Sequence, residues 1–202
     1  TAAVFILLTL PWLNPFTFGP SPTVVPLLFS WACAGGLILL LGFRSVRLQK
    51  ETLVRCVVAA WLFAALLSAL MGLLQYFGVT SVFGPWVNTT AIGEAFANLR
   101  QRNQFATLTN IGLAALVWWV ASLRPKPLSS ALFAAVAFAI LLSAGNAASS
   151  SRTGLVQLAV VVTATLLWRG LRRPAIRLVL LAAVMAYCLA AVGLPALSGF
   201  DI

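Results

Sequence analysis

Residues 98–110 read NLRQRNQFATLTN, and the chain continues IGLAALVWWVASL to Leu123. Two arginines, Arg100 and Arg102, stand just outside an apolar run of membrane-spanning length. Asn103 and Gln104 sit at its mouth. Thr107 and Asn110 follow Asn103 at spacings of four and three, which puts these side chains on one helical face. The stretch predicts a membrane helix entered by a polar stripe from a doubly charged rim. A second stretch answers it at 149–154, SSSRTG, where Arg152 also opens an apolar run. The two helix starts are expected to form one anion site.

The rest of the chain fits this reading. It is 62% hydrophobic and 8% charged, far more apolar than a soluble domain needs. The expected fold is all-α, a polytopic transmembrane helix bundle of about seven spans in a single domain, 1–202. A bilayer core takes about 20 apolar residues as helix. Seven runs reach or approach that length: Thr1–Leu13, Val24–Phe43, Cys56–Phe77, Gln104–Leu123, Leu128–Ala144, Thr153–Trp168 and Leu178–Leu194. The first is the shortest and is expected to have lost a few residues. Ala2–Trp12 leads straight into further spans, unlike a cleaved signal peptide. No repeated alternation of short segments suits a barrel.

The net charge of +10 would point to nucleic acid in a soluble protein. Here the basic residues fall in short links between apolar runs, so no nucleic-acid partner is expected. Arg44, Arg47, Lys50 and Arg55 lie in one link, Arg124 and Lys126 in the next, and Arg169, Arg172, Arg173 and Arg177 in a third. If the runs alternate, all of these share one side, which the positive-inside rule assigns to the cytoplasm. The N-terminus is then cytoplasmic and the C-terminus external. Trp118, Trp119 and Trp168 sit at the cytoplasmic level and Trp12 at the outer level, as interface anchors would. The remaining basic residues, Arg100, Arg102 and Arg152, all fall outside. They run against the local bias, so orientation alone does not explain them.

With that orientation two helix N-termini point outward, each with a positive dipole end and free N–H groups. Arginine there is unfavourable until an anion fills the gap. Two dipole ends and up to three guanidinium groups suit a ligand with two phosphates. Ser150 or Ser151 is placed to cap the second helix. Two plainer readings stay open. An arginine near a helix end can snorkel to headgroups, and the Asn103, Thr107, Asn110 stripe can be interhelical glue.

Other chemistries have little support. Glu51 is internal, which leaves Glu94 and Asp201 outside, a poor divalent-metal site. Neither a metal nor a cofactor is expected. Histidine is absent, so Glu94 or Asp201 would have to serve as general base, unless the base lies beyond Ile202. Cys33, Cys56 and Cys188 lack metal-ligand spacing and read as packing thiols. The Pro-rich segment 11–24 is expected to form a rigid outer cap. In the long outer loop 78–103, Ile92, Phe96 and Leu99 recur at helical spacing, which predicts a short surface helix. Residues 145–152, GNAASSSR, form a small polar outer link suited to close backbone approach.

NLRQRNQFAT and SSSRTG resemble the outer-face motifs of the bacterial O-antigen ligase and O-antigen polymerase superfamily, which includes the protein O-oligosaccharyltransferases. PWLNPFTFGPSP resembles the N-terminal signature of the oligosaccharyltransferase branch. The resemblance runs from about Leu10 to Gly193. It implies a metal-independent glycosyltransferase of the inner membrane, with its active site facing the periplasm. Such an enzyme moves a glycan from undecaprenyl pyrophosphate to a hydroxyl acceptor, either a lipid A–core sugar, as in lipopolysaccharide biosynthesis, or a protein, as in O-glycosylation. A polymerase would use a second lipid-linked glycan instead. Arg152 matches the family's pyrophosphate-binding arginine in its Ser-Arg-x-Gly setting, and Arg100, Arg102, Asn103 and Gln104 match the first motif. Thr107 and Ser151 are expected to line the donor site with Asn103 and Gln104. The family histidine that activates the acceptor has no counterpart here. The chain is therefore expected to be the N-terminal part of a larger enzyme, with a large periplasmic loop beginning near Pro195. A rival of another class is an organic-anion transporter, which arginines at helix N-termini also suit.

Overall fold

The computed structural model describes residues 1–16, 24–42, 49–123, 126–127 and 129–197. Among them seven α-helices follow one another: α1 (Ala2–Leu13), α2 (Val25–Gly42), α3 (Lys50–Tyr76), α4 (Arg102–Leu123), α5 (Ser130–Ala148), α6 (Arg152–Leu167) and α7 (Pro174–Leu197). No strand occurs among the described residues. Five helices are long and apolar enough to cross a membrane, namely α2, α3, α4, α5 and α7. The chain is thus a polytopic helical bundle. At 12 and 16 residues, α1 and α6 fall short of the bilayer core as straight helices. With its flanking turns, α6 still reaches from one end of α4 to the other. Ser151 bonds Asn103 at one end, and Arg173 bonds the Ala121 carbonyl at the other.

The helix edges differ from the apolar runs where local polar chemistry extends them. α3 starts at Lys50, six residues before the run at Cys56. Glu51 in its first turn bonds Arg55 at 2.7 Å, an i,i+4 pair that also suits the helix dipole. So Lys50 and Arg55 belong to a helix rather than to a loop. α5 runs on to Ala148, and the outer link expected over 145–152 shrinks to the three residues 149–151. Small residues in that stretch continue the helix and let it pack closely. Residues 17–23 of the Pro-rich segment, together with Arg44, Arg47, Arg124 and Asp201, lie outside the described residues, while Pro11–Leu13 end α1.

α4 is the hub. It packs against α3, α5, α6 and α7, and Phe105, Leu108, Leu113 and Leu116 are fully buried within it. α5 packs most extensively on α7, while α2 leans on α1 at the edge of the bundle. Charge is sorted by end. Val54 and Val57 of α3 share a hollow with Ala115 and Trp118 of α4, so Lys50 and Arg55 lie at the end where α4 finishes. Arg169, Arg172, Arg173 and Arg177 lie there too, tied by the Arg173–Ala121 bond. Arg100, Arg102 and Arg152 lie at the opposite end. Cys33, Cys56 and Cys188 are unpaired thiols.

In lipid, helices associate through close packing rather than hydrophobic exclusion, so small residues sit at the contacts. Gly112 of α4 is one. A Cβ there would overlap the Cβ of Ala65 in α3 and meet Leu142 of α5 at 3.2 Å. Gly112→Val is therefore expected to destabilise the protein by about 1–3 kcal/mol, read as a lower thermal midpoint in detergent. Gly35→Ala, where nothing lies within 4 Å, serves as the tolerant control. Equal midpoints for the two variants would contradict the close α3–α4 contact.

Candidate functional site

Ahead of α4 the chain forms a strap held by three amides. Gln75, fully buried near the end of α3, accepts from the N–H groups of Phe96 and Ala97 at 3.1 and 2.6 Å. Its amide nitrogen Nε2 donates to the carbonyls of Asn88 and Ala97, both at 2.8 Å. Asn98 donates to the carbonyls of Leu13 and Trp86 at 3.0 and 2.9 Å and accepts from Asn88 N–H at 3.0 Å. Asn14, which closes α1 in a left-handed turn, donates to the Asn98 carbonyl at 3.1 Å. These bonds replace the helix ladder expected around Ile92, Phe96 and Leu99. Residues 91–101 are turns instead, and Gly93, Ala97 and Arg100 have positive φ. The helical segment of the loop is a 3-10 turn at Val79–Trp86.

The strap delivers Arg100 and Arg102 to the head of α4. Arg100 has φ of 60°, an uncommon conformation for a residue other than glycine. Arg102 is the first residue of α4, and its guanidinium lies 3.9 Å from the Glu94 carboxylate. Both partners are about half exposed, so the pair is weak, about 0–1 kcal/mol. Glu94, Phe96, Arg100, Gln101, Arg102 and Asn103 line one hollow of about 490 Å³. A second, of about 500 Å³, runs from Asn103, Gln104 and Thr107 towards Pro11 and Trp12 of α1 and Ser30 of α2. Asn103 belongs to both. The first is charged and the second largely apolar.

The polar stripe of α4 turns towards α6. Asn103 Oδ1 accepts from the Ser151 hydroxyl at 2.8 Å. Thr107 accepts from Gln157 Nε2 at 2.9 Å and donates back to the Asn103 carbonyl at 2.8 Å. Deeper, Asn110 Nδ2 donates to the Gly154 carbonyl at 3.1 Å, and Asn146 of α5 donates to the same oxygen at 3.2 Å. Three helices thus meet on one carbonyl. Gly154 is what allows it, because a Cβ there would collide with Asn146 Oδ1 and lie 2.8 Å from Ala106 Cβ. Ser151 also caps α6, accepting from Gly154 N–H at 3.3 Å. Interhelical bonds of this kind contribute about 0.6 kcal/mol each. The amide oxygens of Asn146 and Gln157 are buried with no donor among the described residues, which costs stability at those two atoms.

The structure brings Asn103, Thr107 and Ser151 together across α4 and α6. It puts Arg100 and Arg102 in the hollow beside Asn103. Gln104 is exposed and lines the second hollow. Arg152 is exposed at the head of α6, directly after Ser151, and is not among the residues lining the charged hollow. Because α4 and α6 begin at the same end, their positive dipole ends point the same way. Sequence reasoning missed Gln75, Asn98, Asn146 and Gln157. Their signal was present: each is a lone amide in or beside an apolar helix, where an unpaired polar group is costly.

The family described as protein glycosylation ligase matches residues 95–120. The match covers the end of the strap and most of α4, including Arg100, Arg102, Asn103, Gln104, Thr107 and Asn110. It agrees with the resemblance carried by NLRQRNQFAT and supports a glycan-transferring ligase. No curated protein and no solved structure matches the chain.

Gln75→Leu would leave the backbone partners of the strap unpaired, each at about 1–3 kcal/mol. Amide hydrogen exchange over 94–98 is expected to accelerate by at least about tenfold, with the centre of α4 unchanged. Unchanged exchange in the strap would show that Gln75 does not hold it.

Proposed function

We propose that the protein transfers a glycan from undecaprenyl pyrophosphate to a hydroxyl acceptor. The reaction occurs on the periplasmic side of a bacterial inner membrane, and the N-terminus is cytoplasmic. The positive-inside rule supports this orientation, because the described basic clusters share the end opposite Arg100, Arg102 and Arg152. The observation that carries the functional reading is the 2.8 Å bond from Ser151 to Asn103. It joins the heads of two parallel helices at a rim bearing three arginines.

In this reading the diphosphate sits against the heads of α4 and α6. Arg100, Arg102 and Arg152 neutralise it through charge-assisted hydrogen bonds, and Asn103, Gln104, Thr107 and Ser151 line the donor site. The polyprenyl tail follows the apolar hollow beside Pro11 and Trp12. An acceptor hydroxyl attacks the anomeric carbon and gives up its proton to a general base, for which Glu94 is the carboxylate at the rim. The bond from that carbon to the phosphate oxygen breaks, and the electron pair leaves on the pyrophosphate. The arginines stabilise the charge that grows there, which is electrostatic transition-state stabilisation. Glu94, 3.9 Å from Arg102, keeps that guanidinium at the rim until the diphosphate replaces it.

The acceptor is a lipid A–core sugar, a protein or, for a polymerase, a second lipid-linked glycan. The match over 95–120 to protein glycosylation ligases favours a protein hydroxyl. Supplying lipid A–core, a pilin-like protein and lipid-linked repeat units in parallel separates the acceptors.

Arg152→Ala in the complete protein is expected to fold normally and lose transfer by about ten- to hundredfold, the loss of one charge-assisted bond. Arg152→Lys retains part of the activity, since a point charge replaces the bidentate fork. Full transfer by folded Arg152→Ala, measured with a lipid-linked oligosaccharide, removes Arg152 from the site.

A further inference from the structure

At the other end of the bundle a groove of about 600 Å³ opens between α4, α6 and the start of α7. Its wall is apolar along Val117 and Trp118 of α4 and Val160 of α6, and its lip carries Trp168, Arg169 and Arg173. The described residues lining it include two arginines and no carboxylate. Trp168 is 83% exposed, so its indole faces whatever surrounds the helices. Arg169 sits in a left-handed turn (φ 56°) that ends α6 and opens the 3-10 turn Gly170–Arg172. Arg173 uses one guanidinium nitrogen, at 2.8 Å, to cap the Ala121 carbonyl at the end of α4. A guanidinium has five N–H donors, so most remain for a second acceptor.

We propose that this groove binds an anionic phospholipid, with its phosphate on Arg169 and Arg173 and one acyl chain along Val117, Trp118 and Val160. Charge complementarity selects the headgroup. The lip is cationic, whereas a zwitterionic headgroup would bring its own cation towards two arginines. The apolar wall selects a lipid over a free phosphate. The indole of Trp168 belongs at the headgroup level, where aromatic side chains concentrate. Basic pockets between membrane helices on the side rich in basic loops are suited to anionic headgroups. The groove lies at the opposite end of α4 from the rim arginines, so the assignment stands apart from the donor site.

The test is tryptophan quenching by phosphatidylglycerol carrying brominated acyl chains, titrated into the complete protein in detergent. Brominated phosphatidylcholine and inorganic phosphate run alongside, with thermal stability as a second readout. Phosphatidylglycerol is expected to quench and stabilise at concentrations where phosphatidylcholine does neither. The Trp118→Phe variant, which removes the indole that the acyl chain lies along, should lose most of the phosphatidylglycerol-specific quenching. Arg169→Gln with Arg173→Gln should weaken binding by roughly tenfold or more, while Arg55→Gln, on α3, leaves it unchanged. If the double variant does not fold, lipid selectivity and the Trp118→Phe result on otherwise intact protein decide. Equal quenching by both lipids, full quenching without Trp118, or unaltered binding by a folded double variant each overturns the proposal. Stabilisation by inorganic phosphate equal to that by phosphatidylglycerol also overturns it.

Discussion

An amide buried among membrane helices must find a partner, because the bilayer core offers no water to satisfy it. That requirement fixes the arrangement of α4, α5 and α6. Asn110 and Asn146 converge on the Gly154 carbonyl, and Asn103 and Thr107 bond Ser151 and Gln157. Apolar contacts alone would allow α6 to slide along α4. The polar seam specifies one register and brings both helix heads to the same level. The small size of Gly154 is part of the same device, since it admits the Asn146 amide to the helix backbone.

The strap obeys the same constraint. Gln75 and Asn98 satisfy backbone groups that a helix or sheet would otherwise pair. They release 88–101 from regular structure and let Arg100 adopt a left-handed conformation. Positive charge is thus carried to the head of α4 by a segment that is irregular yet tied at Asn88, Phe96, Ala97 and Asn98. Glu94 offsets part of that charge at 3.9 Å from Arg102. Under the proposed function this weak pair yields to a diphosphate, whose two phosphate groups offer more acceptors than one carboxylate.

The bundle was legible because apolar run length is a coarse signal that survives without tertiary information. The stripe at Asn103, Thr107 and Asn110 was legible for a similar reason: its spacing alone puts it on one face. What the stripe meets was not legible, since Gln157 and Gly154 lie about fifty residues away in the chain. The surface helix expected at Ile92, Phe96 and Leu99 fails because periodicity ignores competing side-chain acceptors, and Gln75 takes the N–H groups of Phe96 and Ala97. The start of α3 was misread because hydropathy discounts charged residues, whereas Glu51 and Arg55 support a helix as a pair. The α5–α6 link was overestimated because small polar residues read as loop until Asn146 finds its partner.

If the heads of α4 and α6 share one diphosphate, their arginines act on the same ligand. Isothermal titration of a short-chain polyprenyl pyrophosphate into the wild type, Arg102→Ala, Arg152→Ala and the double variant measures this directly. The account predicts that each single variant binds more weakly and that the double variant loses less than the sum of the two, as coupled contacts do. Strictly additive losses, or wild-type affinity in either single variant, would contradict it.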